Sequence, residues 1–198
     1  MADNTRNKTF MDKSKWSLIK KGWIFEAAVP YVGERPLDFF IPDSRTPYRG
    51  KVVSGTAVAL SEDFTEGGDK EYQVVLNLKP RKVVVVSNDE LNADTTQRDV
   101  MVAKLYTIKR KDKSEPWYPL AVSGSHPFFV YLGQEITGRE CIIDLSTITT
   151  IHKNMLLQEK LDITPIMPAI ESKIKYCFDL GLDAAIRLED RSDEEGAS

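Results

Sequence analysis

The sequence RKVVVVSNDELN, residues 81–92, decides the fold. Its four consecutive valines predict a β-strand buried on both faces, because a run of β-branched apolar side chains leaves neither face for water. The Ser-Asn-Asp that follows predicts a sharp turn, since these side chains hydrogen-bond to their own backbone. Arg81, just after Pro80, places a cation at the entrance of the strand. The segment therefore predicts a rigid element with a charge at one end and a polar turn at the other.

The length and composition indicate a globular protein. The 198 residues suit one domain with extensions. A hydrophobic content of 41% and a charged content of 29% are typical of such chains. The net charge of −3 gives no overall field that attracts nucleic acid. An anionic ligand would therefore require a local patch of basic residues.

Neither a metal site nor a cofactor is expected. The only histidines are His126 and His152, and no Cys/His cluster has the spacing of metal ligands. Cys141 and Cys177 lack CxxC spacing, which favours two reduced buried thiols and leaves a disulfide between them open. No apolar run reaches the length of a membrane span, and the N-terminus lacks the apolar core of a signal peptide. We therefore expect a cytoplasmic protein with no membrane partner.

The charge pattern divides the chain into three regions. Residues 1–20 are expected to form a basic extension with a short helix at about 12–19, docked by Trp16. Residues 21–185 form the predicted core domain, with an insertion at about 31–75. Residues 186–198 are acidic and poor in core residues, which predicts a disordered tail.

Hydrophobic patterning predicts a mainly β domain that ends in an amphipathic helix. Many short strands before a terminal helix indicate a small, strongly bent sheet or barrel that the helix closes. Four prolines make the stretch from 30 to 49 irregular in this prediction. The predicted strands are 22–29, 51–60, 72–78, 83–86, 99–108, 127–132, 141–145 and 148–151, and the predicted helices are 154–161 and 168–182.

The order of these segments resembles the PemK/MazF family of toxins from type II toxin–antitoxin systems. The resemblance covers roughly residues 21–183, interrupted by the insertion. The strand and turn at 81–92 resemble the family's RPVLVISNDxxN block. Four further blocks match in order: KGWIF at 21–25 with RGDVW, 100–107 with vivvPiTs, 126–132 with yPfeVvL, and 141–156 with vllDqirtIdksRL.

The resemblance implies an α+β, mainly β fold: an SH3-like barrel with a C-terminal helix, usually as a homodimer. It also implies a metal-independent endoribonuclease that cuts single-stranded RNA and is neutralised by a cognate antitoxin peptide. In that reaction a ribose 2′-hydroxyl attacks the adjacent phosphorus and leaves a 2′,3′-cyclic phosphate. The reaction needs a proton acceptor, a group that stabilises the phosphorane and a group that protonates the leaving oxygen.

The resemblance places candidate catalytic residues at 81 and 106–107. Arg81 matches the arginine that stabilises the phosphorane, and its guanidinium fork suits two phosphate oxygens. Tyr106 stands at the position of a catalytic Thr or Ser, and a one-residue bulge would bring Thr107 to the site face instead. The positions of the Arg-x-Asp pair that some members use hold Asp144 and Ser146, so that pair is absent.

Basic and aromatic residues near these positions are candidate RNA contacts. Lysine and arginine would bind phosphates, and Tyr106, Trp117 and Tyr118 would stack on unpaired bases. The alternative is that the charges only keep the surface solvated, and that His126 and His152 are structural. The predicted RNA-binding residues are Lys79, Lys82, Lys104, Lys109, Arg110, Lys111 and Trp117.

Two other functions compete with the nuclease. A catalytically silent relative would keep the barrel as a module that binds RNA or protein, as Tyr106 and the missing Arg-x-Asp pair favour. An assembly protein would use the 31–75 insertion as an oligomerisation arm. A sharper hypothesis for the acidic tail is that it folds back over the basic patch in place of an antitoxin.

Overall fold

The computed structural model describes residues 9–31, 37–55 and 73–180. Within these ranges the chain forms nine strands and several short helices, so the predicted α+β, mainly β class is confirmed. The chain divides into two compact units, one of residues 1–27 with 80–198 and one of residues 28–79. The strands are β1 Trp23–Tyr31, β2 Asp38–Asp43, β3 Thr46–Ser54, β4 Gln73–Val75, β5 Asn77–Val85, β6 Asp99–Thr107, β7 Phe129–Leu132, β8 Cys141–His152 and β9 Leu156–Asp162.

Six strands form one sheet in the order β7-β8-β6-β5-β1-β9. The pairs β1–β9, β5–β6, β6–β8 and β7–β8 are all antiparallel. The edge strands of this sheet are β7 and β9, so the described strands do not close into a barrel. The described residues after β5 also form four α-helices, which are short apart from the last. They are α1 Asp89–Ala93, α2 Trp117–Val122, α3 Gln134–Thr137 and α4 Met167–Cys177.

The valine run is the centre of the sheet, as its composition predicts. Val83, Val84 and Val85 have no exposed surface. Val84 packs in a core cluster with Ala103 on β6 and Ile143 on β8. Burial on both faces of one strand explains why the run has no polar alternation.

A break in β8 sets the register of the sheet. On the β6 side, Val102 pairs with Thr149 and Lys104 pairs with Asp144, so residues 145–148 of β8 face the single residue Ala103. The β5–β6 register runs without interruption through the same positions. The extra residues therefore lie in β8, and β6 keeps a regular alternation of faces.

The N-terminal segment packs on the domain through Trp16. A 3₁₀-helix spans Lys13–Leu18, and Trp16 is 2% exposed, which confirms the predicted docking residue. The indole Nε1 donates to the carbonyl oxygen of Phe10 at 2.9 Å. The fully buried Lys153 places its ammonium 4.7 Å from the centre of the Trp16 ring and donates to the carbonyl oxygens of Leu91 and Asp94, each at 2.9 Å.

The unit of residues 28–79 carries a three-stranded sheet in the order β3-β2-β4. The prediction of irregular chain from 30 to 49 is wrong where β2 and β3 form a hairpin. Pro42 stands at a register shift, and Pro47 lies on the edge strand β3. These are the two places where a sheet tolerates a residue without an N–H. The predicted strand at 51–60 is seen as far as Ser54, and its remainder falls largely outside the described residues.

The predicted helix at 154–161 is also wrong. Residues Lys153–Met155 form one 3₁₀ turn, and Leu156–Asp162 form β9. This strand pairs with β1, with Glu159 opposite Phe25 and Gln158 opposite Glu26. The open edge of β1 supplies backbone hydrogen bonds that outweigh the helix propensity of Leu, Gln, Glu and Lys.

The closing helix α4 agrees with the prediction for its first turns. Ile170 is fully buried, and Ile174 and Cys177 pack against the core. The helix ends at Cys177, and Phe178 is 52% exposed rather than on the buried face. Cys141 and Cys177 are both free thiols. No described helix is both long and apolar enough to span a membrane. The predicted acidic tail, 186–198, lies outside the described residues.

Candidate functional site

The Ser-Asn-Asp turn after β5 is a structural clasp. Ser87 Oγ donates to Asn92 Oδ1 at 2.6 Å, and Asn92 Nδ2 donates back to the Ser87 carbonyl oxygen at 3.0 Å. Ser87 Oγ also accepts from the backbone N–H of Met101 on β6 at 3.2 Å. Asn88 caps α1 by accepting from the N–H of Leu91. These polar groups are already hydrogen-bonded within the protein. The turn therefore holds the neighbouring strands in place and is not itself a binding site.

One face of the sheet carries the charged and aromatic side chains, and we call it the open face. Lys104 on β6 lies opposite Asp144 on β8, which lies opposite Phe129 on β7. In the next row, Tyr106 lies opposite Ile142, which lies opposite Tyr131. Residues directly opposite in an antiparallel pair project to the same face. The open face is therefore defined by Lys104, Tyr106, Phe129, Tyr131, Ile142 and Asp144.

Arg81 belongs to the open face by strand alternation. It is two residues before Val83, and Val83 pairs with Lys104. A continued β5–β6 register would place Arg81 opposite Tyr106. The side chain is exposed and forms no ion pair with any described residue. Its guanidinium is therefore available to an anionic ligand from solvent.

Tyr106 and Thr107 project to opposite faces of β6. Tyr106 is 36% exposed on the open face. Thr107 pairs with the buried Cys141, and its Oγ1 lies 3.9 Å from Cys141 Sγ. Because the register shift lies in β8, no bulge in β6 turns Thr107 toward Arg81. The phenol of Tyr106 is thus the hydroxyl that shares a face with Arg81.

A cavity of about 270 Å³ opens beside Tyr106, and we call it the open-face cavity. Its aromatic walls are Trp117 and Phe129, whose ring centres are 5.5 Å apart at 85°. The carboxylates of Asp112 and Asp144 contribute charge to an otherwise largely apolar lining. The full lining is Tyr106, Thr107, Ile108, Asp112, Trp117, Phe129, Ile142 and Asp144.

The basic candidates are distributed unevenly around this site. Lys109, Arg110 and Lys111 are exposed at the 3₁₀ segment that follows β6, and their side chains have no described acidic partner. Lys104 is half-buried on the open face. Lys82 lies two residues before Val84 on β5, so it shares the face of Val84, opposite the open face. Lys79 lies on β5 within the other unit, and no contact of its side chain is described.

Glu140 anchors the basic loop and was not found from the sequence. Its carboxylate pairs with Lys113 and accepts from the phenols of Tyr118, at 3.0 Å, and Tyr131, at 2.8 Å. Lys113 and these two phenols hold the pKa of Glu140 below its ordinary value. Burial, with help from Glu140, raises the pKa of Tyr131 to about 12, so this phenol remains a donor at neutral pH. The three partners are distant in sequence, which hides the anchor from motif analysis.

Both histidines have structural partners. His126 Nδ1 accepts from the backbone N–H groups of Phe128 and Phe129, and its ring stacks on Phe129 at 4.1 Å. Burial, followed by the charge of Lys173, lowers the pKa of His126. His152 Nδ1 accepts from the N–H of Asn154. No group of three or more His, Cys, Asp or Glu side chains within the described ranges could hold a metal ion.

Comparison with known proteins gives similarities only among solved structures. No protein-family model and no curated protein matches this chain. A structure described as an endoribonuclease from mycobacterial species is 21% identical, with a TM-score of 0.39, and the match covers 52% of this chain and 83% of that one. A second, an endoribonuclease in complex with its cognate antitoxin from mycobacterial species, is 15% identical, with a TM-score of 0.44. That match covers 81% of this chain and 95% of the other.

This chain is similar to both structures at these levels of identity and TM-score. The endoribonuclease activity belongs to those two proteins, and the antitoxin belongs to the second. Identities of 21% and 15% assign neither the activity nor the antitoxin to this chain.

Proposed function

We propose that this protein is an endoribonuclease toxin that cleaves single-stranded RNA without a metal ion. The proposal is carried by Arg81, an exposed guanidinium with no ion pair among the described residues, which strand alternation places on the same sheet face as the exposed phenol of Tyr106. The reaction requires little more than positioned groups around phosphorus. The ribose 2′-hydroxyl loses its proton to a base as its oxygen bonds to the adjacent phosphorus, the bond to the 5′-oxygen breaks, and that leaving oxygen takes up a proton.

Arg81 is the group that stabilises the phosphorane. The transition state carries extra negative charge on its non-bridging oxygens, and a guanidinium binds two of them at once. A fixed donor aimed at developing charge gives the largest single contribution in most such sites. Within the described part of the chain no carboxylate pairs with Arg81, so its charge is available to the phosphate.

Tyr106 positions the scissile phosphate, with Thr107 as the alternative hydroxyl. The phenol can donate one hydrogen bond to a phosphate oxygen and can also stack on an adjacent base. Lys104, Lys109, Arg110 and Lys111 hold the flanking phosphates, and Trp117 contacts a base from the wall of the open-face cavity. Lys82 projects to the opposite face of β5 and is not part of this phosphate track.

The test is cleavage of a single-stranded RNA by purified protein in the presence of EDTA. Wild type should yield products with a 2′,3′-cyclic phosphate and a 5′-hydroxyl. A substrate with a 2′-deoxyribose at the scissile position should resist cleavage. Arg81→Ala should lower kcat roughly 10²- to 10³-fold, as expected for removal of one donor to the transition state. Arg98→Ala is the matched control, because Arg98 is an exposed arginine next to the opposite end of β6.

Two results would count against this assignment. Equal cleavage by wild type and Arg81→Ala removes Arg81 from the mechanism. Cleavage of the 2′-deoxy substrate excludes attack by the 2′-hydroxyl. Tyr106→Phe and Thr107→Val, compared in the same assay, decide which hydroxyl positions the phosphate.

We also propose that the protein is cytoplasmic, forms a homodimer and binds an antitoxin peptide. The resemblance to PemK/MazF toxins supports all three. Light scattering after a sizing column measures the molar mass of the protein in solution and so tests for the dimer. Induced expression with and without the product of the neighbouring gene tests the antitoxin, since growth arrest should occur only when that product is absent.

A catalytically silent binding module is the second candidate. The position of Thr107 favours it, because this residue lines the open-face cavity but its hydroxyl lies beside Cys141, on the other face of β6 from Tyr106. Such a module would bind RNA or a protein partner with the same surface but leave the RNA intact. Binding of single-stranded RNA with no cleavage by wild type would support this function over the nuclease.

A further inference from the structure

We propose that the open-face cavity receives one nucleobase of the RNA and selects guanine. This inference rests on the proposed function, since it assigns the base specificity of the same surface. Three properties of the cavity lead to it: its size, its aromatic walls and the chemistry of its polar groups.

The size suits one ring system. At about 270 Å³ the cavity lies just below the range typical of sites for drug-sized molecules, roughly 300–1,000 Å³. A dinucleotide would not fit, whereas a single base turned out of its stack would. The open face can present the flanking phosphates to Arg81 and Lys104 while one base enters the cavity.

The walls are built to contact a flat ring. Trp117 packs against Phe129 at an interplanar angle of 85°, and the imidazole of His126 stacks on Phe129. His126 is held in turn by the backbone N–H groups of Phe128 and Phe129. The rings are therefore fixed before any ligand arrives. Stacking of an unpaired base on such a platform contributes binding to any of the four bases, so the walls alone do not discriminate.

The polar groups of the cavity discriminate between the bases. Asp112 Oδ2 accepts from the N–H of Lys109 at 2.7 Å, while Oδ1 has no donor among the described residues. The Asp144 carboxylate accepts from Ser146 and Thr147 and keeps further lone pairs. Ionised carboxylates only accept hydrogen bonds, so the cavity favours a base edge that donates.

Guanine is the base that meets this requirement best. Its Watson–Crick edge carries two adjacent donors, N1–H and the N2 amine, which match a carboxylate. Uracil places its single N3–H between two carbonyl oxygens, and nearby carboxylates repel those oxygens. Adenine and cytosine each present one amine beside an unprotonated ring nitrogen. We therefore expect the order guanine first and uracil last, with Asp112 as the specificity-determining residue.

The experiment measures binding separately from cleavage. Fluorescein-labelled 2′-O-methyl oligonucleotides, identical except for a central guanine, inosine, adenine, cytosine or uracil, are titrated with the full chain and followed by anisotropy. The 2′-O-methyl group prevents cleavage, so the result does not depend on catalysis. The guanine oligonucleotide should bind roughly 5- to 150-fold more tightly than the uracil one, the range for one bidentate contact. Inosine, which lacks the N2 amine, should lose part of this preference.

Asp112→Asn and Glu115→Gln form the matched pair of variants. Each removes one negative charge from the same loop, but Glu115 is exposed and does not line the cavity. The asparagine can still accept from the Lys109 N–H, and circular dichroism checks that the fold is kept. Asp112→Asn should reduce the guanine preference at least several-fold, whereas Glu115→Gln should preserve it.

Three outcomes overturn the proposal: equal affinity for all five oligonucleotides, no binding of any, or an unchanged guanine preference in Asp112→Asn. Cleavage of unmodified RNA is assayed in parallel. A guanine preference without cleavage would reject the nuclease and keep the cavity assignment. Cleavage with no base preference would reject the cavity assignment and keep the nuclease.

Discussion

The ammonium group of Lys153 lies over the ring of Trp16, 4.7 Å from its centre, in the interior of the protein. The same group donates to two carbonyl oxygens, those of Leu91 and Asp94, where α1 ends. One cation thus joins the N-terminal segment to the turn that follows β5. A cation is also the favoured charge at the C-terminal end of a helix.

Lys153→Met should destabilise the protein. The methionine fills the space but leaves two carbonyl oxygens without their donor, and each such loss costs about 1–3 kcal/mol. Removal of a desolvated charge offsets part of this cost, because burial already lowers the pKa of Lys153. We expect a net loss of about 2 kcal/mol. Urea unfolding measures it, with the exposed Lys175→Met as control. An unchanged midpoint would mean that the carbonyl oxygens find other donors.

Ser87→Ala should loosen the clasp at the end of β5. Asn92 is fully buried and would lose the donor to its Oδ1, and the N–H of Met101 would lose its acceptor. We expect a loss of roughly 1–3 kcal/mol in the free energy of unfolding. The exposed Ser123→Ala, whose hydroxyl bonds only within its own turn, should change it little. A loss of similar size in both variants would argue against the clasp.

Glu140→Gln should make the free energy of unfolding less dependent on pH in the acidic range. The pKa of Glu140 is lowered in the folded protein, first by Lys113 and then by the two tyrosines. The carboxylate therefore contributes stability that is present above its ordinary pKa of 4.5 and is lost as the pH falls through the lowered value. Wild type should exceed the variant in stability at neutral pH, and the two should converge in acid. If the stability of the two proteins changed in parallel over the whole pH range, the ionised Glu140 carboxylate would contribute nothing to the pH dependence of stability.

Lys111→Gln should weaken binding of every single-stranded RNA and flatten its salt dependence. Each phosphate contact contributes about 0.7 to the slope of log K against log salt concentration for single strands. Loss of one contact should lower the slope by about that amount, without a change in base preference. Lys175→Gln, on α4, serves as the comparison. A slope identical in both variants would place Lys111 outside the RNA track.

The sequence predicts the fold where the signal is local. The valine run, the docking of Trp16 and the start of the closing helix each depend on residues that are neighbours in the chain, and all three are found. The helix at 154–161 is wrong because its outcome depends on a partner more than a hundred residues away. The backbone of β1 captures that segment as a strand, and no local pattern in it reports this pairing.

The candidate site could be predicted only in part, for a similar reason. Arg81 and Tyr106 follow from a matched motif, but which of Tyr106 and Thr107 shares a face with Arg81 depends on strand register. That register is uninterrupted between β5 and β6, and the extra residues lie in β8, where no distinctive composition marks them. Glu140 and Asp112 gain their roles from partners or cavity walls that fold beside them, so only the structure reveals them.

β1 and β5 are neighbours in the six-stranded sheet, although the chain between them is long. The polypeptide thus departs from and returns to adjacent positions. The entropy of closing such an excursion rises only slowly with its length. A change in the length of this connection should therefore leave Arg81 on β5 and Tyr106 on β6 in register.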